Sequence, residues 1–377
     1  MARILFHTTL RIAEWAGCEE LWFQAAQILV AQGHQVAACL PPGMHTPTTR
    51  ARLSRAGMGV LSSPLDNVRD FVSRAARRLA PTTASAVSPC VRHAKAWGAD
   101  LVVISQAACW SAYRELLALR NARIPYVTIS QLNTPFVWPG KQLFECVGES
   151  FAGAKAAVFV SRGNLALFEN QVARRLNNAR VIYNPVSFPV DEPCGRPAND
   201  GPMVFLNVAR IDPAQKGQDI IVDVMAMPKW RERDVRVRVA GGGDRAWLER
   251  LLAARAIKSV DLLGHVTDLR SEWQRSTFGL FSSRYEGMPL AMIEGMALAR
   301  AVVATDVAGH REWIEDGASG FIAAGAEAAA LDAAMERAWM ARSSAATLGQ
   351  RARAIYENKT RLPPAVDLAQ LLAVVIE

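Results

Sequence analysis

The stretch Tyr285-Glu-Gly-Met-Pro-Leu-Ala-Met-Ile-Glu-Gly-Met-Ala297 places two carboxylates, Glu286 and Glu294, eight residues apart around a Gly-Met-Pro turn. Proline suits the first turn of a helix, where its missing N–H has no partner to lose. The stretch therefore predicts a helix over about 289–299, with Glu286 in the loop before it and Glu294 one to two turns inside. Apolar runs on both sides make it a strand–helix–strand unit of a parallel sheet.

Short apolar runs alternate with longer helical patterns along almost the whole chain, which is typical of parallel βα units. Strands are predicted over 3–7, 35–40, 101–105, 126–130, 156–161 and 180–183, and then over 203–209, 235–240, 260–263, 278–282 and 301–305. The sequence thus predicts an α/β protein with two doubly wound domains facing an interdomain cleft. Ligands of such sheets bind beyond the carboxyl ends of the strands, so the cleft is the predicted site.

A chain of 377 residues suffices for two domains of ordinary size. Residues 185–202 are dense in Pro, Gly and polar residues, and this composition predicts a linker. We expect an N-terminal domain over 1–190 and a second domain over 200–358. The apolar residues 362–377 predict a final helix that needs a surface to cover.

The start of the helix over 289–299 combines groups that suit a nucleotide sugar. The amides of Met288, Leu290 and Ala291 are expected to point outward and to hold an anion, and Gly287 leaves room for close approach. Carboxylates accept hydrogen bonds from vicinal hydroxyls, so one glutamate would bind a ribose and the other a sugar. At this point the alternative of a solvated Glu294 and a dipole-favouring Glu286 stays open.

Two cations, Arg210 and Lys216, follow the strand predicted over 203–209. Guanidinium and ammonium groups at the carboxyl end of a strand are suited to neutralise a diphosphate leaving group. By themselves they also fit two ordinary loop cations. Their combination with the glutamate pair favours a nucleotide-sugar site.

These motifs, taken in order, resemble those of the retaining glycosyltransferases of family 4, which have the GT-B fold with two Rossmann-like domains. The resemblance covers the second domain nearly completely. Its motifs are Arg210-x5-Lys216-Gly, Gly264-His-Val, Glu286-Gly-Met-Pro-Leu-x3-Glu294, Ala308-Gly-His-Arg-Glu312 and Asp316-Gly-x-x-Gly320-Phe.

The resemblance implies a role for each matching residue. Arg210 and Lys216 would bind the donor diphosphate and stabilise the departing charge, and Glu294 would take the ribose hydroxyls. Glu286 would hold the transferred sugar together with the backbone of Gly287, Met288, Pro289 and Leu290. Val266 would lie near the base. Arg210, Lys216 and Glu286 are the expected catalytic residues, and the helix over 362–377 would pack back on the first domain.

The implied reaction moves a sugar from a nucleotide diphosphate sugar to a hydroxyl of a glycan or a lipid-linked saccharide, with retention at the anomeric carbon. The family is usually metal-independent, and the sequence lacks the Asp-x-Asp pair of metal-using transferases. We therefore expect no metal and no cofactor. Side-chain cations and the helix dipole would then do the electrostatic work.

The first domain departs from the family pattern at two places. Gly17 matches one glycine of a Gly-Gly-x-Glu element whose backbone, in that family, nears the donor phosphate or the acceptor, but Ala16 replaces the other glycine. The alternative that residues 19–22 simply begin a packed helix stays open. Gln131 stands where many relatives carry a histidine that faces the reacting sugar, and an amide cannot titrate. Gln131, Asn133 and Trp138 are the predicted acceptor-side residues, with Trp138 as an aromatic platform. Turn formation by Asn133 and core packing by Trp138 stay open.

The net charge of +8 and a pI near 9.4 favour anionic partners. No zinc-finger spacing or basic–aromatic block indicates a nucleic-acid module, so none is expected as a partner. The start of the sequence resembles a strand more than a signal peptide, and we expect a cytoplasmic protein. An amphipathic basic stretch over 68–79 predicts peripheral contact with the inner face of the cell membrane, against the alternative of a core-facing helix with a basic rim.

Two alternative functions stay open on the sequence. One is another GT-B enzyme, a nucleotide-sugar epimerase or a phosphorylase. The other is a non-catalytic subunit that binds a nucleotide sugar, which the departures at Ala16 and Gln131 would allow. A nicotinamide-dependent oxidoreductase is poorly supported, because Gly241-Gly-Gly243 lacks the dinucleotide-binding spacing.

Overall fold

The computed structural model describes residues 1–10, 15–61, 88–195 and 201–377. They form two compact units. The first unit comprises Met1–Pro185 and Leu362–Glu377, and the second comprises Val186–Arg361. The basic stretch over 68–79 lies outside the described residues.

The first unit is built on a parallel sheet of seven strands in the order β3-β2-β1-β4-β5-β6-β7. Its strands are β1 (Arg3–Thr8), β2 (Gln35–Cys39), β3 (Gly59–Leu61), β4 (Leu101–Gln106), β5 (Tyr126–Ser130), β6 (Ala156–Phe159) and β7 (Ala179–Val181). Its described helices before the second unit are α1 (Glu20–Ala31), α2 (Pro47–Arg55), α3 (Pro89–Trp97), α4 (Tyr113–Asn121), α5 (Phe144–Ala152) and α6 (Arg162–Gln171).

The central strands of this sheet are buried on both faces, because helices cover both sides of a parallel sheet. Every residue of β4 and of β5 is buried, which explains why these segments read as continuous apolar runs.

The second unit repeats this plan with a parallel sheet of six strands in the order β10-β9-β8-β11-β12-β13. The strands are β8 (Met203–Val208), β9 (Val235–Ala240), β10 (Val260–Gly264), β11 (Phe278–Phe281), β12 (Val302–Thr305) and β13 (Gly320–Ala323). The helices are α7 (Pro213–Lys216), α8 (Gln218–Met225), α9 (Pro228–Glu232), α10 (Arg245–Ala254), α11 (Leu269–Arg275), α12 (Leu290–Ala297), α13 (His310–Trp313), α14 (Ala328–Met340) and α15 (Ala345–Lys359).

A final helix, α16 (Pro364–Ile376), belongs to the first unit and packs on α1. Its buried side chains include Leu368, Ala369 and Leu372, so the apolar pattern over 362–377 finds a surface within that unit. None of the described helices is both long and apolar enough to cross a membrane.

Part of the segment predicted as a linker packs on the second unit. Arg300 is buried, and its Nη2 donates to the Gly195 carbonyl at 2.8 Å. Arg353 donates to the carbonyls of Val190 and Asp191. A buried guanidinium needs acceptors for its five N–H groups, and the segment supplies some of them. The chain therefore changes units after Pro185, at the start of the segment 185–202.

Candidate functional site

The strand order of the second unit reverses direction between β8 and β11, which are neighbours in the sheet. In a doubly wound sheet the two loops that leave such a pair run to opposite faces and open a crevice at the carboxyl edge. Here these loops are residues 209–217 after β8 and 282–289 after β11. They carry the cations and the first glutamate that the sequence singled out.

Lys216 and Glu286 are in direct contact across this switch point. The Nζ atom of Lys216 lies 2.5 Å from Oε1 of Glu286, and the hydroxyl of Ser283 donates to the same oxygen at 2.7 Å. Glu286 is buried, while Lys216 is half-buried. The ammonium group therefore keeps a solvent-facing side next to a buried carboxylate, so a charged cation and an acceptor carboxylate stand side by side.

The backbone of the two loops is locked together behind this pair. The hydroxyl of Ser282 donates to the Lys216 carbonyl at 2.8 Å. Gly217 has a positive φ of 66°, and a Cβ atom there would lie 2.2 Å from the Ser282 carbonyl oxygen. Arg284 forms a bidentate ion pair with Asp219. The position of Lys216 is therefore set by tight backbone packing, which only glycine at 217 permits.

Arg210 is oriented differently from Lys216. Its exposed guanidinium pairs with Asp212 at 2.7 Å, and no described contact joins it to Lys216. Gln218 bridges this loop, donating to the Arg210 carbonyl at 2.9 Å and accepting from the Asp212 amide at 3.2 Å. The structure thus brings Lys216 to Glu286 and leaves Arg210 at the rim of the loop, paired with an acid.

Glu294 is buried in α12, so the alternative of a solvated helix residue is wrong. Its Oε1 accepts hydrogen bonds from the amide and the hydroxyl of Ser187. Burial raises the pKa of Glu294, and the two Ser187 donors oppose this shift because they stabilise the ionised form. Ser187 lies in the segment predicted as linker and was not singled out by its sequence.

The helix α12 starts at Leu290, with Pro289 as its N-cap residue. The Leu290 amide donates to the Met288 carbonyl at 3.0 Å, so the expectation of an unused amide is wrong at that position. Gly287 and Met288 are engaged in interactions as well. Val266 lies half-buried in the loop after β10, at the same edge of the sheet.

His310, which stands in the motif Ala308-Gly-His-Arg-Glu312, also lies close to this site. It is fully buried at the start of α13, and its Nδ1 lies 2.5 Å from the Thr305 carbonyl. Burial lowers the pKa of His310, and the charge of Glu286 opposes this shift. A carbonyl only accepts, so Nδ1 carries the proton, which leaves Nε2 as an acceptor without a partner among the described residues.

In the first unit, Gln131 follows β5 and is buried. Its Nε2 donates to the Cys18 carbonyl at 3.0 Å, and its Oε1 accepts from Asn184 at 2.8 Å. Gln131 therefore ties the turn that contains Gly17 to the end of β5. A substrate hydroxyl would have to use the second N–H or the second lone pair of its amide.

The other two acceptor-side residues differ in exposure. Asn133 is buried, and its Nδ2 donates to the Asn164 carbonyl at 3.1 Å, while its Oδ1 has no hydrogen-bond partner among the described residues. Trp138 is 55% exposed, and its indole N–H donates to the Pro135 carbonyl at 2.7 Å. The ring is accessible, but its only hydrogen-bond donor is already used.

Glu19 is the last residue of the stretch Ala16-Gly17-Cys18-Glu19, in which Gly17 matches the Gly-Gly-x-Glu element, and its carboxyl is buried. It accepts from the Trp22 indole N–H at 2.7 Å and from the Thr8 hydroxyl at 3.1 Å. Burial raises its pKa from the ordinary value of 4.5 to about 7, although these donors oppose the shift.

This shift predicts a loss of stability at higher pH. Between pH 4.5 and 7 the native state binds more protons than the unfolded state, so the free energy of unfolding falls as pH rises. The loss is about 3 kcal/mol. The variant Glu19→Gln has no carboxyl group at this position, so it should not show this loss. The unsubstituted protein should therefore lose about 3 kcal/mol of stability relative to the variant between pH 4 and pH 8. Denaturant unfolding at both pH values measures it, and a constant difference would contradict the assignment.

Solved structures with the same architecture are found over the full chain. HepE of Anabaena in complex with UDP is 18% identical with a TM-score of 0.73, over 99% of this chain and 100% of that one. A glycosyltransferase of Rickettsia africae is 17% identical with a TM-score of 0.75, over 99% and 97%. Together with the two parallel sheets, the similarity to these two structures establishes the fold. The chain has the GT-B fold.

The second unit of this GT-B chain also matches a family model. Residues 202–340 match the family described as "Glycosyl transferases group 1". An uncharacterized glycosyltransferase of Methanocaldococcus jannaschii is 31% identical over 160 residues, which are 41% of this chain and 42% of the relative. The alpha-D-kanosaminyltransferase of Streptomyces kanamyceticus is 34% identical over 128 residues, 33% of each chain. The GT-B chain thus spans about two fifths or less of the length of these curated relatives.

Among the residues that the structure describes, no group of three His, Cys, Asp or Glu side chains is arranged to hold a metal ion. The contacts at the second unit's site are ion pairs and hydrogen bonds between protein groups.

Proposed function

We propose that this GT-B protein is a retaining glycosyltransferase that moves a sugar from a nucleotide diphosphate sugar to a hydroxyl acceptor. The observation that carries the proposal is the contact between Lys216 and Glu286 at the switch point of the second sheet. A cation for a phosphate and a carboxylate for sugar hydroxyls stand there together. The match of residues 202–340 to the glycosyl transferases group 1 model supports the same activity.

In this proposal Lys216 binds the donor diphosphate, and Arg210 joins it by exchanging Asp212 for a phosphate. Both would stabilise the charge that develops on the leaving group, which is the larger part of catalysis in such sites. Glu286 binds hydroxyls of the transferred sugar next to the backbone of Gly287, Met288, Pro289 and Leu290.

Glu294 would bind the ribose diol through an oxygen that Ser187 does not use. The two donors from Ser187 engage Oε1, and no described hydrogen bond engages Oε2. An ionised carboxylate accepts several hydrogen bonds, so ribose and Ser187 can bind Glu294 together. Val266, and Gly17 from the first unit, are proposed donor contacts that rest on the resemblance.

Retention is proposed to proceed by attack from the face on which the leaving group departs. The acceptor oxygen forms a bond to the anomeric carbon, and the bond from that carbon to the diphosphate oxygen breaks. The acceptor's proton goes to the departing diphosphate. The amide of Gln131 cannot take part in this proton transfer, since it does not titrate. No metal is assigned to the reaction.

A uridine nucleotide is the first donor to test, because the structures of HepE contain UDP and UDP-glucose. The proposed acceptor is a hydroxyl of a glycan or a lipid-linked saccharide, with Gln131 and Asn133 on its side. The contact of residues 68–79 with the inner face of the cell membrane stays a prediction.

The proposal is tested by thermal shift with a panel of nucleotide sugars and then by turnover of the best stabiliser. A ligand at a hundred times its Kd stabilises the folded state by about 2.7 kcal/mol. NMR of the product reports the anomeric configuration, and added EDTA reports any need for a metal. Stabilisation without turnover would favour the non-catalytic subunit, and turnover without an acceptor would favour an epimerase.

A further inference from the structure

Glu294 is a buried carboxyl group that is held by a serine and not by a cation. The side chain is only 4% exposed, and the hydrogen bonds that it accepts within the described part of the chain both come from Ser187. Burial raises the pKa of Glu294, because an ionised carboxylate loses solvation when it is taken out of water. A buried acid of this kind is a candidate functional group.

The hydroxyl and the amide of Ser187 occupy one oxygen of this carboxyl group. Both donate to Oε1, the amide at 3.2 Å. A carboxylate oxygen accepts about two hydrogen bonds, so Oε1 is saturated while Oε2 still accepts. The Ser187 hydroxyl has used its one proton on Glu294 and keeps its lone pairs. The pair therefore offers a ligand two adjacent acceptor oxygens, Oγ and Oε2, and no hydroxyl donor.

Ser187 is exposed, but the segment that follows it is fixed to the second unit. The Cys194 amide donates to the Leu298 carbonyl, directly after α12, at 3.0 Å. The Arg353 guanidinium donates to the Val190 carbonyl at 3.4 Å. Ser187 thus belongs to the same unit as α12 and is in position before any ligand binds. A preorganised group loses little conformational entropy on binding.

Two adjacent acceptors suit a ligand that carries two neighbouring O–H donors. A phosphate group does not fit, since its oxygens also accept and its charge would be repelled by an ionised Glu294. A vicinal diol fits, because each of its hydroxyls can donate to one of the two oxygens. The ribose of a ribonucleotide carries such a diol, whereas a 2′-deoxyribonucleotide lacks one of the two hydroxyls.

We propose that Ser187 binds the donor's ribose together with Glu294, with Oγ of Ser187 accepting one ribose hydroxyl and Oε2 of Glu294 accepting the other. The protein then selects ribonucleoside diphosphate sugars over 2′-deoxyribonucleoside diphosphate sugars. The hydroxyl that donates to Ser187 also strengthens the hydrogen bond from Ser187 to Glu294, since hydrogen bonds in a chain polarise one another. This inference rests on the proposed function and adds a specificity-determining residue to it.

The test is isothermal titration calorimetry of the full chain with UDP, GDP and ADP, and then with the 2′-deoxy and 3′-deoxy forms of the tightest binder. Each deoxy form should bind the unsubstituted protein about tenfold more weakly than the ribonucleotide, because it leaves one acceptor without a donor.

Ser187→Ala should weaken binding of the ribonucleotide about fivefold. It should hardly change binding of the deoxy form that lacks the hydroxyl bound by Ser187. The variant keeps the backbone amide that donates to Oε1, so Glu294 stays in place. Ser187→Thr keeps a hydroxyl and should restore the affinity for the ribonucleotide.

Ser271 provides a matched control in the second unit. Its amide donates to Oδ1 of Asp268 at 3.0 Å, and its hydroxyl donates to Oδ2 of the same residue. The two donors are therefore the same as those of Ser187, but they act on an exposed carboxylate. Ser271→Ala should bind all three nucleotides like the unsubstituted protein.

Equal weakening of all three nucleotides by Ser187→Ala would overturn the inference, because a general distortion of the site does not depend on a ribose hydroxyl. Unchanged binding of all three would also contradict it, as would equal affinity of the unsubstituted protein for the ribonucleotide and both deoxy forms. These outcomes remove only the role of Ser187 and leave donor binding standing. If the unsubstituted protein bound none of UDP, GDP and ADP, the proposed function would fall together with the inference.

Discussion

Lys216→Met is expected to lower kcat/KM for the nucleotide-sugar donor by about a hundredfold to a thousandfold, the usual loss when one charge-stabilising group is removed. Lys216 is the half-buried cation that contacts Glu286 at 2.5 Å. Without Lys216, the negative charge on the departing diphosphate would be stabilised by Arg210 alone, whose guanidinium is exposed and paired with Asp212. Steady-state kinetics on the best donor measures the loss.

A second effect of the same substitution has to be separated from catalysis. Lys216→Met leaves the buried Glu286 without its cation, and stranding one partner of a buried pair costs about 3–5 kcal/mol of stability. The double variant Lys216→Met/Glu286→Gln removes that unpaired charge, so its stability should recover while its turnover stays low. Recovery of turnover in the double variant would show that Lys216 acts only by neutralising Glu286.

A matched control exists elsewhere in the same unit. Lys229 pairs with Asp332 at 2.8 Å and with Glu336 at 3.1 Å, away from the loops at the switch point. Lys229→Met should change the free energy of unfolding without changing kcat/KM for the donor. Comparable losses of turnover in both lysine variants would remove the catalytic assignment of Lys216.

The fold was predictable because its signals are local. Each strand–helix unit is marked by a run of apolar residues, a turn and a periodic helix, all within about 30 residues. The stretch from Tyr285 to Ala297 contained the loop, the proline at the helix start and both carboxylates, and the structure has α12 there. Two strands were not predicted, β3 and β13, and each lies at an edge of its sheet.

The contacts within the site were less predictable, since they join residues far apart in the chain. Ser187 and Glu294 are separated by 107 positions, and Lys216 and Glu286 by 70. The sequence assigned Lys216 and Glu286 to different parts of a donor, and it gave no sign that they touch. His310 stood in a quoted motif, yet its burial depends on how the loop after β12 folds, which no local pattern encodes.

Gly217→Ala is expected to lower the free energy of unfolding by about 3 kcal/mol or more. A left-handed conformation costs an alanine about 1–2 kcal/mol by itself. At Gly217, with φ of 66°, the new Cβ atom would in addition lie 2.2 Å from the Ser282 carbonyl oxygen. Backbone on both sides would have to move, and Lys216, the preceding residue, would move with it.

Gly264 separates the two contributions to this loss. It has a similar φ of 71°, but the nearest atom to an added Cβ is the end of the Arg245 side chain at 3.7 Å. Gly264→Ala should therefore cost only about 1–2 kcal/mol, the conformational part. Asparagine tolerates the left-handed region, so Gly264→Asn should cost less than Gly264→Ala, whereas Gly217→Asn should be as harmful as Gly217→Ala. Denaturant unfolding of the four variants measures the two contributions, the close contact with the Ser282 carbonyl and the cost of the left-handed conformation. If asparagine is less destabilising than alanine by the same amount at both positions, the contact with Ser282 does not fix the loop that carries Lys216.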